Sequence, residues 1–396
     1  MKKALLLCAS HNDLGLIKSL IKLGFYVIVT GNVKDLPGEK YADKYIAADY
    51  SDKDLILKIA MQEQIDCIVP NCHDYGVYTA SYVAEKMNLP GHDSYETTLL
   101  LHNKDKFNQF AKENNILSPS SEKFNKISDA EKFLSNCTYP IIMKPVDAAG
   151  GRGVHRAENF LEAMKYLETA FEKSKVGRIV IEPFISGSQH GFCTFLVNQK
   201  VVACCSNNEY SIMNPYRVEI DIFPSDDFNE NHAKLIRQVE DIAGKLKLKD
   251  GIFHMQYIIS GGDIYIIEVM RRVLGNLYFI PASLNSEGGG DNWEYWETRA
   301  RCGFSCQEIN MSLRSRGFHA YKCILADSNG EIKKITIPKE YEKYLIGEYW
   351  LKKVGDYITQ HDMEFVGFLF FMFKTHEEAH KILIENYRTD LISVEV

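Results

Sequence analysis

The sequence predicts an α/β protein with a doubly wound parallel sheet at its start, followed by α+β structure built on antiparallel hairpins. Three observations carry this. Short apolar runs alternate with helix-period segments over residues 1–92, the order that produces parallel strands joined by crossover helices. Two later pairs of strand-like runs are joined by the turn segments Asn198-Gln199 and Ser260-Gly261-Gly262-Asp263. Residues 311–396 then read as a small α+β unit.

Element by element, Ala4–Cys8 reads as a buried strand, and Leu14, Ile17, Leu20 and Ile21 recur at helical spacing. Tyr26–Thr30 is a second strand, Leu55–Ala60 sits in a helix, and Cys67–Pro70 is another strand. Functional groups of such sheets lie beyond the carboxyl ends of the strands. Those ends carry Ser10-His11-Asn12 and Asn71-Cys72-His73-Asp74, residue types that suit helix capping as well as substrate contact. No G-x-G-x-x-G follows the first strand, which argues against a dinucleotide site and a nicotinamide dehydrogenase.

Residues 103–116 form an amphipathic helix, broken by Ser118-Pro119-Ser120. A strand ending at Lys144-Pro145 leads into the loop Asp147–Val154, a helix over Glu158–Lys173 and a strand over Arg178–Glu182. Gly191–Val197 and Val201–Ser206 form the first hairpin. The polar stretch to about Asn229, which contains Arg217, reads as a mobile loop. A helix over Asn231–Leu246 precedes the second hairpin, Ile252–Ile259 with Ile264–Val269. The tail ends in a helix near His376–Tyr387 and a strand near Leu391–Val394.

Bulk properties exclude several classes. The 396 residues suffice for two or three domains. Lys and Arg number 46 against 53 Asp and Glu, a net charge of −7, which argues against nucleic acid as the main partner. No stretch approaches the roughly 20 apolar residues of a membrane span. The apolar run Ala4–Cys8 is too short for a signal peptide, whose apolar region needs roughly 7–15 residues. The ten cysteines show no zinc spacing, and buried free thiols in a reducing cytoplasm are the expectation.

Two segments carry chemistry. In Lys144–Val154, Gly150, Gly151 and Gly153 let backbone N–H groups approach a polyphosphate, and Lys144 offers a charge from a rigid strand. An ordinary β-turn is the competing reading of this loop. In the second hairpin, strand alternation puts His254 and Gln256 on one face, and Glu268 lies within an apolar strand. A carboxylate there needs a partner; Gln256 and Glu268 oxygens suit Mg²⁺, and an ion pair of Glu268 with Arg271 or Arg272 is the alternative.

These features, in this order, resemble the ATP-grasp superfamily, which includes biotin carboxylase, the carbamoyl phosphate synthetase large subunit and the L-amino acid ligases. The resemblance implies a pre-ATP-grasp domain over residues 1–92 and a two-lobed ATP-grasp domain over 93–310, with its small lobe at about 115–184. A C-terminal lobe over 311–396 completes the division. It implies ATP held by Lys106 of Asn103-Lys104-Asp105-Lys106, by Lys144, and by Gly150, Gly151, Arg152 and Gly153. Glu182 and the backbone near Phe184 and Ile185 would recognise adenine, and Gln189 or His190 the ribose. Gln256 and Glu268 match the metal ligands, for Mg²⁺ or Mn²⁺, and Arg272 the catalytic arginine. The usual E-x-N-P-R here reads Glu268-Val269-Met270-Arg271-Arg272. A thioether is a poor ligand for a hard ion, so a second metal requires another group, such as Asn276.

The implied activity is a carboxylate–amine ligase that forms an acyl phosphate and lets an amine displace phosphate. A phosphotransferase on the same scaffold and a nucleotide-binding protein without catalysis are the alternatives. His73, Arg217 and Arg271 are candidates for substrate contact. Homodimers are common in this superfamily, and the sequence itself marks no interface.

Overall fold

The structure is a computed structural model that describes residues 1–147, 151–284, 293–309 and 317–395. The strands β1 (Lys3–Leu7), β2 (Tyr26–Gly31), β3 (Lys44–Ala47) and β4 (Cys67–Val69) form a parallel sheet in the order β3-β2-β1-β4. β3 has no counterpart in the sequence reading, because Lys44–Ala47 is half exposed and lacks an apolar run. Both faces of the sheet are covered. Leu5, Leu7 and Ile28 pack on the helices Lys53–Glu63 and Asp74–Met87, while Leu6, Val27 and Val29 face the helix Leu14–Lys22.

A second, antiparallel sheet comprises β5 (Glu122–Phe124), β6 (Ile141–Pro145), β7 (His155–Ala157) and β8 (Ile179–Pro183), in the order β5-β8-β6-β7. The helices Ile127–Leu134 and Phe160–Glu172 cover its apolar face through Leu134, Leu167 and Ala170. Its other face presents Lys144 and Glu182 to the rest of the molecule.

The large antiparallel sheet contains β9 (Ser188–Val197), β10 (Lys200–Tyr210), β11 (Ile220–Phe223), β12 (Gly251–Ser260), β13 (Asp263–Met270) and β14 (Phe318–Ile324). After β15 (Gly330–Ile335) it takes in β16 (Leu345–Trp350) and, past β17 (Tyr357–Ile358), β18 (Gly367–Phe373). The order is β13-β12-β9-β10-β11-β14-β18-β16. β15 instead pairs with β17 and with β19 (Ile392–Glu395). β14 hydrogen-bonds to β11, so strands of the tail belong to the same sheet as the two hairpins. The segment expected to be a loop up to Asn229 contains β11, whose four residues are all buried. Its polar Asp221 hides the strand pattern from a hydropathy reading.

The hairpin turns are as expected. Asn198 and Gln199 have φ of 51° and 61°, and Gly261 and Gly262 of 60° and 88°, the left-handed pair that a tight turn between twisted strands requires. The outer face of the sheet packs on the helix Phe228–Leu246 through Leu235, Val239 and Ile242. The inner face shares one core with the N-terminal parallel sheet through Phe195 and Phe223. Among the described residues, no helix is long and apolar enough to cross a membrane.

Candidate active site

The end of the β12–β13 hairpin organises the site. Gln256 pairs with Glu268 and His254 with Met270, so all four side chains stand on the inner face. Glu268 accepts a hydrogen bond from Lys104 Nζ at 2.9 Å. Burial works against the charge on Lys104, but Glu268, Asp74 and Glu182 outweigh it and raise its pKa.

Lys104 opens the helix Lys104–Glu113, and Asn108 lies one turn further along the same face. Asn108 Nδ2 reaches Glu182 Oε1 at 3.2 Å, and Lys144 Nζ lies 2.7 Å from Glu182 Oε2. One helix face thus addresses both Glu268 and Glu182. Lys106, expected on a phosphate, is turned out of this face and is exposed. The lysine of the Asn103–Lys106 segment that faces the site is Lys104. Glu182, expected on adenine, is buried and engaged by Lys144 and Asn108.

Arg272 follows directly from β13. Its Nε donates to Asp74 Oδ1 at 2.7 Å. Asp74 also bonds His102 Nδ1 at 2.9 Å, and His102 Nε2 accepts from the Arg271 backbone N–H at 3.1 Å. His102 is therefore held as the Nδ1–H tautomer. Burial pushes the Asp74 carboxyl up, but Arg272 and His102 outweigh it and hold the group well below the usual carboxylate range. Arg271, a candidate for substrate contact, points the other way. It is 2% exposed, pairs with Asp93 at 2.9 Å, and donates to the carbonyls of Lys249, Gly251 and Ile252. Successive residues at a strand end face opposite sides, so only one of the two arginines can look into the site.

The described part of the glycine loop, residues 151–154, lies against Tyr216. Gly150 lies outside the described residues. Gly151 has φ +74°, and a Cβ there would lie 2.4 Å from the Tyr216 carbonyl oxygen. Gly153 has φ +71° and abuts Pro145 and Lys173. No side chain fits at either place. Val154 N–H closes a turn onto Gly151 O at 3.3 Å, so the segment is a turn and a backbone-exposing loop together. Arg152, at its tip, is exposed.

A cleft of 1090 Å³ lies beside it, lined by Phe184, Ile185, Gln189, Glu209 and Tyr216 among others. Arg156 stacks its guanidinium 3.8 Å from the Phe184 ring centre. Lys144, Gln256, Glu268 and Arg272 are not part of this lining; Glu209 joins the two regions. Gln189 and Gln256 each donate to Glu209 Oε2 at 2.7 Å. His190, the alternative to Gln189 for ribose, is 1% exposed on the opposite face, stacked on Tyr257 at 5.1 Å and bonded to Ser188.

His73 stacks on Tyr50 at 6.3 Å, and burial and the Arg272 charge lower its pKa. Arg217 lies over the Phe365 ring at 3.6 Å and donates to the Met363 carbonyl. Asn276, considered for a second metal, donates weakly to Val218 O at 3.5 Å and Tyr321 Oη at 3.4 Å. Met270 is buried in the inner core. Glu209, Asp221, Lys104 and the His102 relay escape a reading of the sequence. Their only local signal is a polar side chain inside an apolar strand or at a helix start.

Residues 102–214 match the family model of the phosphoribosylglycinamide synthetase ATP-grasp (A) domain. The carbamoyl phosphate synthase large chain of Clostridium acetobutylicum is 24% identical over 282 residues, which is 67% of this chain and 25% of that one. The chain therefore spans about a quarter of the length of that relative. Solved structures match it end to end. The L-amino acid ligase of Bacillus licheniformis has a TM-score of 0.82 at 18% identity, covering 100% of this chain and 98% of that one. Phosphoribosylglycinamide synthetase of Anaerococcus prevotii has 0.75 at 19%, covering 100% and 99%. N5-carboxyaminoimidazole synthetase of Staphylococcus aureus, complexed with ADP, has 0.77 at 15%, covering 98% of each. Residues 102–214 thus match an ATP-grasp domain, and the whole chain shares the fold of these solved structures.

Proposed function

We propose that the chain is an ATP-dependent carboxylate–amine ligase, which activates an acid as its acyl phosphate and joins it to an amine with release of ADP and phosphate. The observation that carries this reading is the convergence at the end of β13. There Glu268 and Arg272 are each engaged by a residue from a separate element, Lys104 and Asp74. The likeness in fold to an L-amino acid ligase supports the C–N bond-forming chemistry.

ATP is a substrate in this reading. The backbone at Phe184 and Ile185 would receive its base and Gln189 its ribose, while Lys104, Lys144 and the N–H groups around Gly151–Gly153 take the phosphates. A substrate carboxylate attacks the γ-phosphorus in line, and Arg272 neutralises the charge that develops. The amine then attacks the acyl carbon, the C–N bond forms and phosphate leaves. The glycine loop excludes water that would hydrolyse the acyl phosphate.

The donors fit a divalent cation: Gln256 and Glu268 offer oxygens from one face of the hairpin. Mg²⁺, or Mn²⁺, would be held by these two residues and would draw negative charge from the phosphates. Met270 on the same face offers no oxygen, which favours one protein-held metal over two.

The free cysteines of the described chain support a cytoplasmic location. The test is release of ADP and free phosphate from Mg-ATP by the purified protein with pooled amino acids, dipeptides and other acids. Equal amounts of both, rising only when acid and amine are present together, are expected. ADP without matching phosphate would replace this reading with a phosphotransferase. Nucleotide binding with no turnover on any pool would replace it with the inactive alternative, for which the buried Met270 is the specific support.

A further inference from the structure

Two acids lie side by side on the inner face of the large sheet, outside the groups used so far. Glu209 on β10 is directly opposite Asp221 on β11, which is opposite Tyr321 on β14. They are 8% and 2% exposed. Like charges at such paired positions repel, and an isolated buried carboxylate is costly.

The side chains that donate to Glu209 are neutral, and the charged group close to it, Glu268, is a further acid. Gln189 and Gln256 donate to Glu209, while Tyr321 and Asn207 stand beside Asp221. Polar capacity is left over as well. Asp221 Oδ1 and Asn207 Nδ2 are buried without a hydrogen-bond partner, although Asn207 Oδ1 accepts from Tyr278 at 2.8 Å. Gly191, between Gln256 and Asn207 across the sheet, leaves the room: a Cβ there would lie 2.6 Å from Asn207 Oδ1 and 2.9 Å from Glu209 Oε1. Glu209 opens the group onto the cleft.

We infer that Glu209 and Asp221, with Asn207, form the subsite for a substrate ammonium group, so that at least one substrate of the proposed ligase is a cationic amine such as an amino acid. This rests on the ligase reading. A primary ammonium offers three N–H donors and one positive charge, which matches two adjacent acids and an unused carboxyl oxygen.

The ammonium belongs either to the amine that reacts or to the acid that is activated, and one experiment separates them. The full-length protein with Mg-ATP and the twenty common L-amino acids is assayed for ligation, and with hydroxylamine for hydroxamate formation. Hydroxylamine is largely uncharged at neutral pH and traps the acyl phosphate without needing an ammonium site. If the reacting amine occupies the pair, Asp221→Asn lowers ligation relative to hydroxamate formation by about tenfold or more. If the activated acid occupies it, the variant raises the KM of the acid about tenfold in hydroxamate formation itself, and des-amino acids lose that sensitivity. Ligation and KM both unchanged in Asp221→Asn and in Glu209→Gln, which serves where Asp221→Asn does not fold, overturn the inference alone. Wild-type protein that forms neither hydroxamate nor amide overturns the ligase reading, and the inference with it.

Discussion

Arg272 Nε donates to Asp74 Oδ1 at 2.7 Å, joining the end of the β12–β13 hairpin to the first residue of a helix in the N-terminal domain. His102 Nδ1 bonds the same Asp74 oxygen at 2.9 Å. The arginine proposed to meet the transferred phosphoryl group is thus aimed by the helix Asp74–Met87, which contributes none of the proposed nucleotide contacts. Asp74→Asn keeps the shape and removes the charge. Turnover is expected to fall about tenfold or more as Arg272 loses its orientation, with ADP affinity little changed. Stability should drop by about 1–3 kcal/mol. The Asp74 pKa is depressed in the folded state, so the charged carboxylate stabilises the fold above its unfolded pKa. That contribution is lost only as pH falls through the folded value. Wild-type turnover in the variant would remove the positioning role; ADP release and a thermal melt measure the two effects.

Lys104 and Lys106 sit on one short helix, and only Lys104 meets Glu268. Lys104→Ala is expected to weaken ATP binding about tenfold or more, the loss of one charge-assisted contact. Lys106→Ala should stay within about twofold, as exposed surface substitutions usually do. Calorimetry with ADP on both folded variants decides it, and the reverse order of effects would return the phosphate contact to Lys106.

The contrast shows what a sequence can carry. The strand–helix alternation of residues 1–92 and both hairpin turns are legible because they depend on local periodicity and turn chemistry. Glu268 and Gln256 are legible because a polar residue in an apolar strand demands a partner. Lys104 against Lys106, Arg272 against Arg271 and Gln189 against His190 are not, since each choice is one or two residues wide and is settled by which face the backbone turns inward. Asp221 is hidden in a strand of four residues, too short to announce itself, and its neighbour Glu209 only becomes its partner through sheet pairing.

Glu268→Ala should abolish turnover, and EDTA should do the same to the wild type reversibly, with activity restored by excess Mg²⁺. Lys144→Ala should weaken ATP binding and also lower the melting temperature, because the buried Glu182 carboxylate keeps only the neutral Asn108 amide. Near-normal turnover in Glu268→Ala would remove the metal assignment. Unaltered ATP affinity in Lys144→Ala, measured by calorimetry, would remove the phosphate contact.

Lys322 provides a prediction independent of the active site. It lies on β14 opposite Ile220, is 1% exposed, and its Nζ sits 3.5 Å from the Tyr387 ring centre without a hydrogen-bond acceptor. Glu219 is close but already occupied: Oε1 takes the N–H groups of Ile212, Met213 and Asn214, and Oε2 the Tyr387 hydroxyl. Burial accordingly lowers the Lys322 pKa to about 7, with the Glu219 charge only partly opposing it. An unfolded lysine titrates near ~10.4, so between these values the unfolded chain binds more protons than the folded one. Stability must then rise with pH across that window. Lys322→Met removes the term. The variant should be more stable than wild type at pH 7 by about 1–3 kcal/mol, and the difference should shrink toward pH 10. Denaturant melts of both proteins at pH 7, 8 and 9 test this, and parallel pH dependences would mean that Lys322 keeps its proton in the fold.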